Sequence, residues 1–210
     1  MAESLVLETP RFAPGLRPVS PAAHLARRFA QAEVTGARGV SLRELPFLTQ
    51  VGLRVVPGTA AAGRIESRLG MSLPRRYGQV GTGDRLVALW LSPDDFLLIS
   101  TLPATELVAG LVEALAGDPG SATDLSANRT TLELAGPSAR AVLEKGCPLD
   151  LHPRAFPAGS ARVTAIGSVP VLLWKVSDES WRVLPRSSFA DFLGRWLLDA
   201  MTEFQGRALP

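Results

Sequence analysis

Two side chains of this sequence could act together as a nucleophile and its base. Cys147 is the only cysteine in 210 residues, and His152, one of two histidines, follows five positions later. A thiolate is a strong nucleophile, and a neighbouring imidazole is a common means of generating it. The same segment, KGCPLDLHPRAFP, carries three prolines, and such a segment could also be a rigid connector.

The predicted elements around this segment disfavour a reactive thiol. Cys147 follows a predicted helix, PSARAVLEKG, and the partial negative charge at a helix C-terminus opposes thiolate formation. We therefore expect Cys147 to be a small buried apolar residue in a connector whose prolines lower the entropy lost on ordering. A thiol enzyme that uses Cys147 and His152 is kept as a minor hypothesis.

Three other patterns suggest chemistry but lack essential residues. The stretch GTAAAGRI follows a predicted strand and opens a helix, but it has Arg64 where a phosphate-binding P-loop needs lysine. The glycine-rich GQVGTGD leads into a strand and is predicted to be a loop. Asp94 and Asp95 lie in a predicted hairpin turn, where solvated acids are common. The sequence therefore predicts no catalytic, cofactor-binding or metal-binding residue, and one Cys with two His is too few for a structural zinc site.

Composition and charge indicate an ordinary globular protein. Hydrophobic residues make up 46% and charged residues 20%, and 22 Lys and Arg against 20 Asp and Glu give a formal net charge of +2. This balance predicts neither nucleic-acid nor membrane binding. The start, MAESLVLETPRF, lacks the basic region of a signal peptide, and no apolar run approaches the length of a membrane span. We expect a cytoplasmic protein.

The positions that could do chemistry must be held by the elements around them. Residues 1–46 contain five prolines and are predicted to form an extended N-terminal arm with one short helix at HLARRFAQAE. Residues 47–210 alternate strands and helices. This pattern predicts an α+β domain of two ββα-like lobes, in which helices pack on antiparallel sheets.

Several boundaries follow from local signals. Thr59 is the predicted N-cap of a helix over TAAAGRIESRLG, and Gly70 its predicted end. The strands LVALWLS and FLLIST are predicted to form a hairpin through Ser92-Pro93-Asp94-Asp95.

Two longer helices are predicted to bury an apolar stripe. In ATELVAGLVEALAG the stripe contains Leu107, Val108, Leu111, Val112 and Leu115. The last helix begins near Ser187, with Ser188 and Asp191 resembling a capping box. Its predicted core face contains Phe189, Phe192, Leu193, Trp196, Leu197, Ala200, Met201 and Phe204.

Four segments resemble the gamma-subunit family of heterotetrameric sarcosine oxidases. These are WLSPDDFLLIS, DLSANRTTLELAGPSARAVLEKGCPLDLHPRAFPAG, PVLLWKV and RSSFADFLGRWLLDA. The resemblance covers roughly residues 45–200, and GCPLDLHPRAF is its most specific part. The N-terminal arm carries no clear match.

The resemblance implies a complex of alpha, beta, gamma and delta subunits that oxidises sarcosine to glycine and hydrogen peroxide, with tetrahydrofolate capturing the one-carbon unit. It assigns FAD and FMN to the beta subunit and its junction with alpha, and NAD and folate to alpha, so that none is bound by this chain alone. It also implies a fold similar to the folate-binding domain of the glycine-cleavage aminomethyltransferase family.

On this basis we expect a noncatalytic structural subunit in direct contact with the alpha subunit, with beta and delta in the same complex. The candidate partner-interface residues are Asp150, His152, Arg154 and Phe156. One alternative is the corresponding subunit of an N-methylglutamate or other N-methyl amino acid dehydrogenase. Another, from a different class, is a free-standing folate-dependent aminomethyl transferase. The sequence alone does not show which of these substrates the complex acts on.

Overall fold

The computed structural model describes residues 18–206. Two short 3-10 helices, Ala23–Leu25 and Ser187–Phe189, precede the first and last α-helices. The helices and strands in chain order are α1 (Ala26–Gln31), β1 (Ser41–Glu44), β2 (Thr49–Arg54), α2 (Ala60–Leu69), β3 (Val80–Thr82), β4 (Leu86–Ser92), β5 (Asp95–Ser100), α3 (Ala104–Leu115), β6 (Ser121–Asp124), β7 (Leu132–Ala135), α4 (Ala139–Glu144), β8 (Ser160–Ile166), β9 (Val169–Ser177), β10 (Ser180–Pro185) and α5 (Ala190–Gln205).

The chain divides into two compact units. Within the described residues, the first contains residues 47–127 and the second contains residues 18–46 and 128–206. Each unit contains one five-stranded sheet, and all recorded strand pairs are antiparallel. The predicted α+β class, with helices on antiparallel sheets, is confirmed. No helix within residues 18–206 has both the length and the apolar character needed to cross a membrane.

The first unit orders its strands β3-β4-β5-β2-β6, with α2 and α3 packed on the sheet. Thr59 caps α2 as predicted, since its Oγ1 accepts the Ala62 N–H at 3.2 Å. Gly70 ends the helix in the left-handed conformation at φ 66°, which glycine adopts without a Cβ penalty. The apolar side chains that α2, α3 and the sheet bury together include Val51, Leu53, Ile65, Leu98, Leu111 and Leu115.

Two predictions in the first unit need correction. The loop predicted at GQVGTGD contains the edge strand β3. Glycine is favoured at position 81 because a Cβ there would lie 2.8 Å from the backbone carbonyl oxygen of Ser72. In α3, Leu107, Leu111 and Leu115 are buried, but Val112 is 53% exposed. The buried stripe is therefore narrower than the apolar pattern predicts, because only one side of the helix faces the sheet.

The second unit orders its strands β1-β7-β10-β9-β8, and α1, α4 and α5 supply its helical side chains to the core. The central strands β7, β9 and β10 are rich in Val, Leu and Trp, which suit a buried pleated surface. Its core includes Leu25, Phe29, Leu134, Leu143, Leu173, Trp181, Leu197 and Met201.

The structure differs from the predicted arm over residues 18–46, which belong to the second unit. Strand β1 pairs with β7 from Ser41↔Ala135 to Glu44↔Leu132, and Phe29 of α1 is only 2% exposed. The prolines at either end of this stretch flank the helix and the strand, so they do not prevent regular structure. The rest of the predicted arm, residues 1–17, lies outside the described residues.

Helix α5 buries a narrower face than predicted. Phe189 and Phe192 are 39% and 53% exposed, since the buried face is centred on Leu193, Leu197 and Met201. The predicted capping box is also absent from this helix start: no side chain caps it, and the Asp191 carboxylate instead accepts hydrogen bonds from Arg195.

Candidate partner-binding surface

Residues 147–157, which include most of GCPLDLHPRAF, form an ordered connector between α4 and β8, hereafter the connector. After α4, the Cys147 N–H donates to the Leu143 carbonyl at 2.9 Å, so the connector starts directly from the helix end. Glycine is favoured at position 146, because a Cβ there would lie 2.6 Å from the Trp196 ring and 3.0 Å from the backbone nitrogen of Gly167. The Gly167 N–H donates to the Gly146 carbonyl at 2.9 Å, which ties the start of the connector to the β8–β9 turn.

Three connector side chains point into the core and anchor it. Cys147, Leu151 and Phe156 are 8%, 1% and 0% exposed. The Phe156 ring packs edge-on against Trp181 with centroids 5.3 Å apart, and the Arg162 guanidinium carbon lies 4.7 Å from the centre of the Phe156 ring. These contacts fix both ends of the connector on the second unit.

Between these anchors, the polar residues face solvent and bond to the connector itself. Asp150, His152 and Arg154 are all exposed. The Asp150 carboxylate accepts the His152 backbone N–H at 2.8 Å, and His152 Nδ1 accepts the Arg154 backbone N–H at 3.2 Å. The His152 carbonyl accepts the N–H groups of Ala155 and Phe156, each at 2.8 Å. The outward face is therefore held in one shape by its own hydrogen bonds.

These positions correct one of the four candidate interface residues. Asp150, His152 and Arg154 lie together on the exposed side of the connector, where a partner could reach them. Phe156 is fully buried in the core of its own unit, because it fills the space beside Trp181. It belongs to the anchor of the surface and not to the surface itself.

The side chains of Cys147 and His152 lie in different surroundings. Cys147 is buried, as expected, and its Sγ lies 3.8 Å from Thr164 Oγ1. His152 is exposed, and its Nδ1 is occupied by a backbone N–H. Within residues 18–206, no hydrogen bond joins the two side chains. Direct transfer of the thiol proton to an imidazole requires contact between the two side chains, and this arrangement does not supply it.

The remaining motifs have structural roles in this fold. Arg64, at the position of a P-loop lysine, donates to the carbonyls of Ala114 and Leu115 at 2.7 and 2.8 Å and thus caps the end of α3. Asp94 and Asp95 pair with Arg54 at 3.7 and 3.2 Å. In the described part of the chain, no group of three or more His, Cys, Asp or Glu side chains is arranged to hold a metal ion.

Sequence reasoning missed a largely buried charge cluster in the second unit. Glu133 Oε1 lies 2.5 Å from Arg43 Nη2, and Glu133 Oε2 lies 3.8 Å from Arg182 Nε. The Arg182 guanidinium carbon also lies 4.6 Å from the centre of the Trp174 ring. Burial lowers the pKa of Arg182, the Glu133 carboxylate raises it, and the Arg43 cation lowers it. The sequence signal that could have revealed this cluster is Glu133 itself, an acid between Leu132 and Leu134 in a predicted strand.

A shallow groove of about 320 Å³ runs between α1 and α5. Its wall carries two arginines, an aspartate and several neutral polar side chains. Arg195 is already paired with Asp191, whose carboxyl pKa is held below its ordinary value by hydrogen bonds first from His24 and then from Arg195. The lining residues are Arg28, Gln31, Ala32, Arg195, Leu198, Asp199, Thr202 and Gln205.

Comparison with known structures first defines the class of protein. The chain superposes on the glycine cleavage system aminomethyltransferase T from Bartonella henselae with a TM-score of 0.57 at 15% identity, covering 92% of this chain and 54% of that one. At this identity the likeness shows the fold alone. The protein is thus an α+β protein with the aminomethyltransferase fold.

The family is defined by sequence. Residues 54–203 match the model of the sarcosine oxidase, gamma subunit family. The chain is 50% identical over 186 residues to sarcosine oxidase subunit gamma from Arthrobacter sp., covering 88% of this chain and 90% of that protein. It is 46% identical, with a TM-score of 0.87, to a chain of the heterotetrameric sarcosine oxidase from Corynebacterium sp. U-96 in complex with pyrrole 2-carboxylate, covering 92% and 99% of the two chains. The chain belongs to the sarcosine oxidase gamma subunit family.

Proposed function

We propose that this chain is the noncatalytic gamma subunit of a heterotetrameric sarcosine oxidase, an oxidoreductase of the cytoplasm. Membership of the gamma subunit family and the likeness to a chain of a heterotetrameric sarcosine oxidase support the assembly. The role of the chain is then to present a rigid surface to larger partner subunits, while the chemistry takes place elsewhere in the complex.

The proposed complex acts in sarcosine catabolism. It converts sarcosine, O2 and tetrahydrofolate to glycine, hydrogen peroxide and methylenetetrahydrofolate. Its flavins, FAD and FMN, and its NAD and folate sites are assigned to the alpha and beta subunits, with delta as the fourth component. The alpha subunit is the proposed direct contact of this chain.

One observation carries the noncatalytic proposal. The only thiol of the sequence, Cys147, is buried in the core cluster of the second unit, and the nearby His152 faces solvent with Nδ1 already bonded. The connector thus supplies buried anchors and a polar outer surface. A docking role uses both of these features.

The residues of the α1–α5 groove do not fit folate. A pterin ring is planar and aromatic, and pockets for such rings are enclosed and contain apolar or aromatic side chains. The eight residues that line the groove include no aromatic side chain, and the groove is open. The groove gives no support to a free-standing aminomethyl transferase, and we derive no folate chemistry from it.

The test is to co-express the chain, tagged, with the alpha, beta and delta subunits and to purify it. We expect the tag to retain the other subunits, the eluate to show a flavin spectrum, and the eluate to oxidise sarcosine in preference to N-methylglutamate. The chain expressed alone should show neither flavin absorbance nor turnover. A preference for N-methylglutamate would favour the dehydrogenase alternative, and turnover by the chain alone would contradict the proposal.

Cys147→Ser separates packing from catalysis in the same complex. The serine hydroxyl is similar in size to the thiol and can bond to Thr164, so we expect sarcosine oxidation to be retained with stability lower by about 1 kcal/mol. Loss of turnover in a complex that still assembles would support the thiol-enzyme hypothesis instead.

A further inference from the structure

The three exposed polar side chains of the connector differ in what they can offer to a partner. The Asp150 Oδ1 atom is used internally, because it accepts the backbone N–H of His152. His152 uses one ring nitrogen internally. For the guanidinium of Arg154, no partner is recorded among residues 18–206, and the side chain is exposed.

The internal hydrogen bond of His152 determines the chemistry of its other nitrogen. An atom that accepts an N–H cannot carry a proton, so the neutral imidazole must hold its proton on Nε2. Since Nδ1 faces the connector backbone and the residue is exposed, Nε2–H is left as the donor available to a partner. The imidazole therefore acts outward as a hydrogen-bond donor.

The backbone that holds this donor is rigid. Pro153 fixes one φ angle, the His152 carbonyl accepts two N–H groups, and Phe156 anchors the next turn in the core. Arg154 lies two residues beyond His152, and its own N–H is the group bound by Nδ1. The two residues are thus coupled by one hydrogen bond through the Arg154 backbone. The imidazole and the backbone that carries Arg154 are ordered before any partner arrives, which lowers the entropy cost of binding.

We infer that His152 and Arg154 form a two-donor clamp for a carboxylate on the alpha subunit, with Asp150 as the positioning residue. An Nε2–H and a guanidinium are both donors, and a carboxylate has several acceptor sites that can take them together. Arginine adds a permanent charge and a planar fork suited to this group. The inference rests on the proposed docking of the connector on a larger subunit, and it adds the chemistry of the partner group.

The test compares two replacements of His152 that each keep one nitrogen's function. In His152→Asn, the amide oxygen can take the place of Nδ1, but the outer donor is lost. In His152→Gln, the amide nitrogen can donate near the position of Nε2, but the inner acceptor is lost. Arg154→Gln removes the charged donor, and Arg76→Gln, in an exposed loop of the first unit, is the matched control.

Each variant is co-expressed with the alpha, beta and delta subunits, and the dissociation constant of the chain from the purified complex is measured by native mass spectrometry on dilution. We expect Arg154→Gln and His152→Asn each to raise this constant about 10-fold or more, as for a lost charge-assisted hydrogen bond. His152→Gln should raise it by no more than about 3-fold, and Arg76→Gln should leave it unchanged. All four replacements are exposed, and equal thermal unfolding would verify that they fold.

Each other outcome overturns the clamp in a distinguishable way. If His152→Gln weakens the complex more than His152→Asn, the imidazole acts only by accepting the Arg154 backbone N–H and so stabilising the connector. If the wild-type chain binds and neither Arg154→Gln nor His152→Asn weakens it, the clamp is wrong while the proposed function stands. If the wild-type chain does not co-purify with the larger subunits, both fail.

Discussion

The two units build the same kind of sheet around different interiors. The core of the first unit is almost entirely aliphatic, with Phe96 as its one fully buried aromatic side chain among the described residues. In the second unit, cations lie over aromatic rings, at 4.6 to 5.4 Å from the ring centres. These pairs are Arg162 on Phe156, Lys175 on Trp181, Arg182 on Trp174, and both Arg38 and Lys145 on Phe204.

This difference shows how the second unit accommodates charge at the margins of its core. The face of an aromatic ring carries partial negative charge, so it can stabilise a cation that has lost part of its hydration. The only two lysines of the chain, Lys145 and Lys175, both lie over such rings. The connector with its exposed polar residues belongs to the same unit. The first unit has an apolar core, whereas the second unit combines its core with an ordered polar surface on the connector.

The largest expected effect comes from removing the connector's main anchor. Phe156→Ala should lower the free energy of unfolding by about 3–5 kcal/mol, because a fully buried ring leaves a cavity beside Trp181. Urea denaturation followed by tryptophan fluorescence measures this loss. Phe96→Ala in the first unit is the matched control, with a similar expected cost.

The two variants should differ in what else they change. Only Phe156→Ala removes the support of the connector, so it should also weaken assembly of the complex, whereas Phe96→Ala should not. A cost below about 1 kcal/mol for Phe156→Ala would contradict the anchoring role of this ring.

The next effect tests the buried charges of the second unit. Glu133→Gln should destabilise the protein by about 3 kcal/mol, because it leaves the largely buried Arg182 without its anion. Arg182→Met should cost less, since it removes the cation and keeps an unbranched side chain against Trp174. Thermal and urea unfolding of both variants measure this order. The reverse order would mean that the ring, and not the carboxylate, stabilises the cation.

A pair of glycines tests the packing of helices in the two units. Gly63, in α2, has open space at its Cβ position, so Gly63→Ala should stabilise the protein by about 0.5–1 kcal/mol. Gly194, in α5, would place a Cβ 2.6 Å from Leu25 Cδ1 and 3.1 Å from Phe29 Cζ, and both of these residues are buried.

Gly194→Ala should therefore cost about 1–2 kcal/mol, since overpacking outweighs the gain in helix propensity. Differential scanning calorimetry of the two variants measures whether each replacement stabilises or destabilises the protein. Stabilisation by both replacements would show that Leu25 and Phe29 move aside easily, and that the close approach of the N-terminal helix to α5 is not tightly packed.

The local signals in the sequence were sufficient to predict most helices and strands, but not the contacts between them. A Thr cap, a Gly end and a Pro-Asp turn predict α2 and the β4–β5 hairpin because each depends on neighbours in sequence. The sequence could not predict that β1 pairs with β7, about ninety residues away, because its four residues give no strong strand signal of their own. For this reason the predicted arm extended to residue 46.

The same limit applies to the candidate surface. The position and residue types of the connector predicted a buried Cys147, and Cys147 is buried. They could not show that Phe156 faces inward, since this depends on the position of Trp181 in a distant strand. The tautomer of His152 also depends on a backbone contact that only the folded turn provides. Exposed Phe192 was missed because helical periodicity gives the apolar side but not its width.

The smallest expected effect concerns the exposed ion pairs at the start of α5. Hydrogen bonds from His24 and Arg195 lower the pKa of the Asp191 carboxyl. A carboxyl with a lowered pKa in the folded state stabilises the protein above its unfolded pKa of about 3.9, and this contribution is lost as pH falls through the lower folded value.

Asp191→Asn should therefore lower the urea midpoint slightly at neutral pH. The difference from wild type should shrink as pH falls from about 4 through the lower folded pKa of Asp191, because below that pKa both proteins are uncharged at this position. Asp199→Asn on the same helix, whose carboxylate makes no recorded ion pair within residues 18–206, should show a smaller change at neutral pH. If the deficit of Asp191→Asn persisted unchanged at pH 2, the carboxylate charge would not be its cause. The start of α5 would then be held by packing and not by this charge.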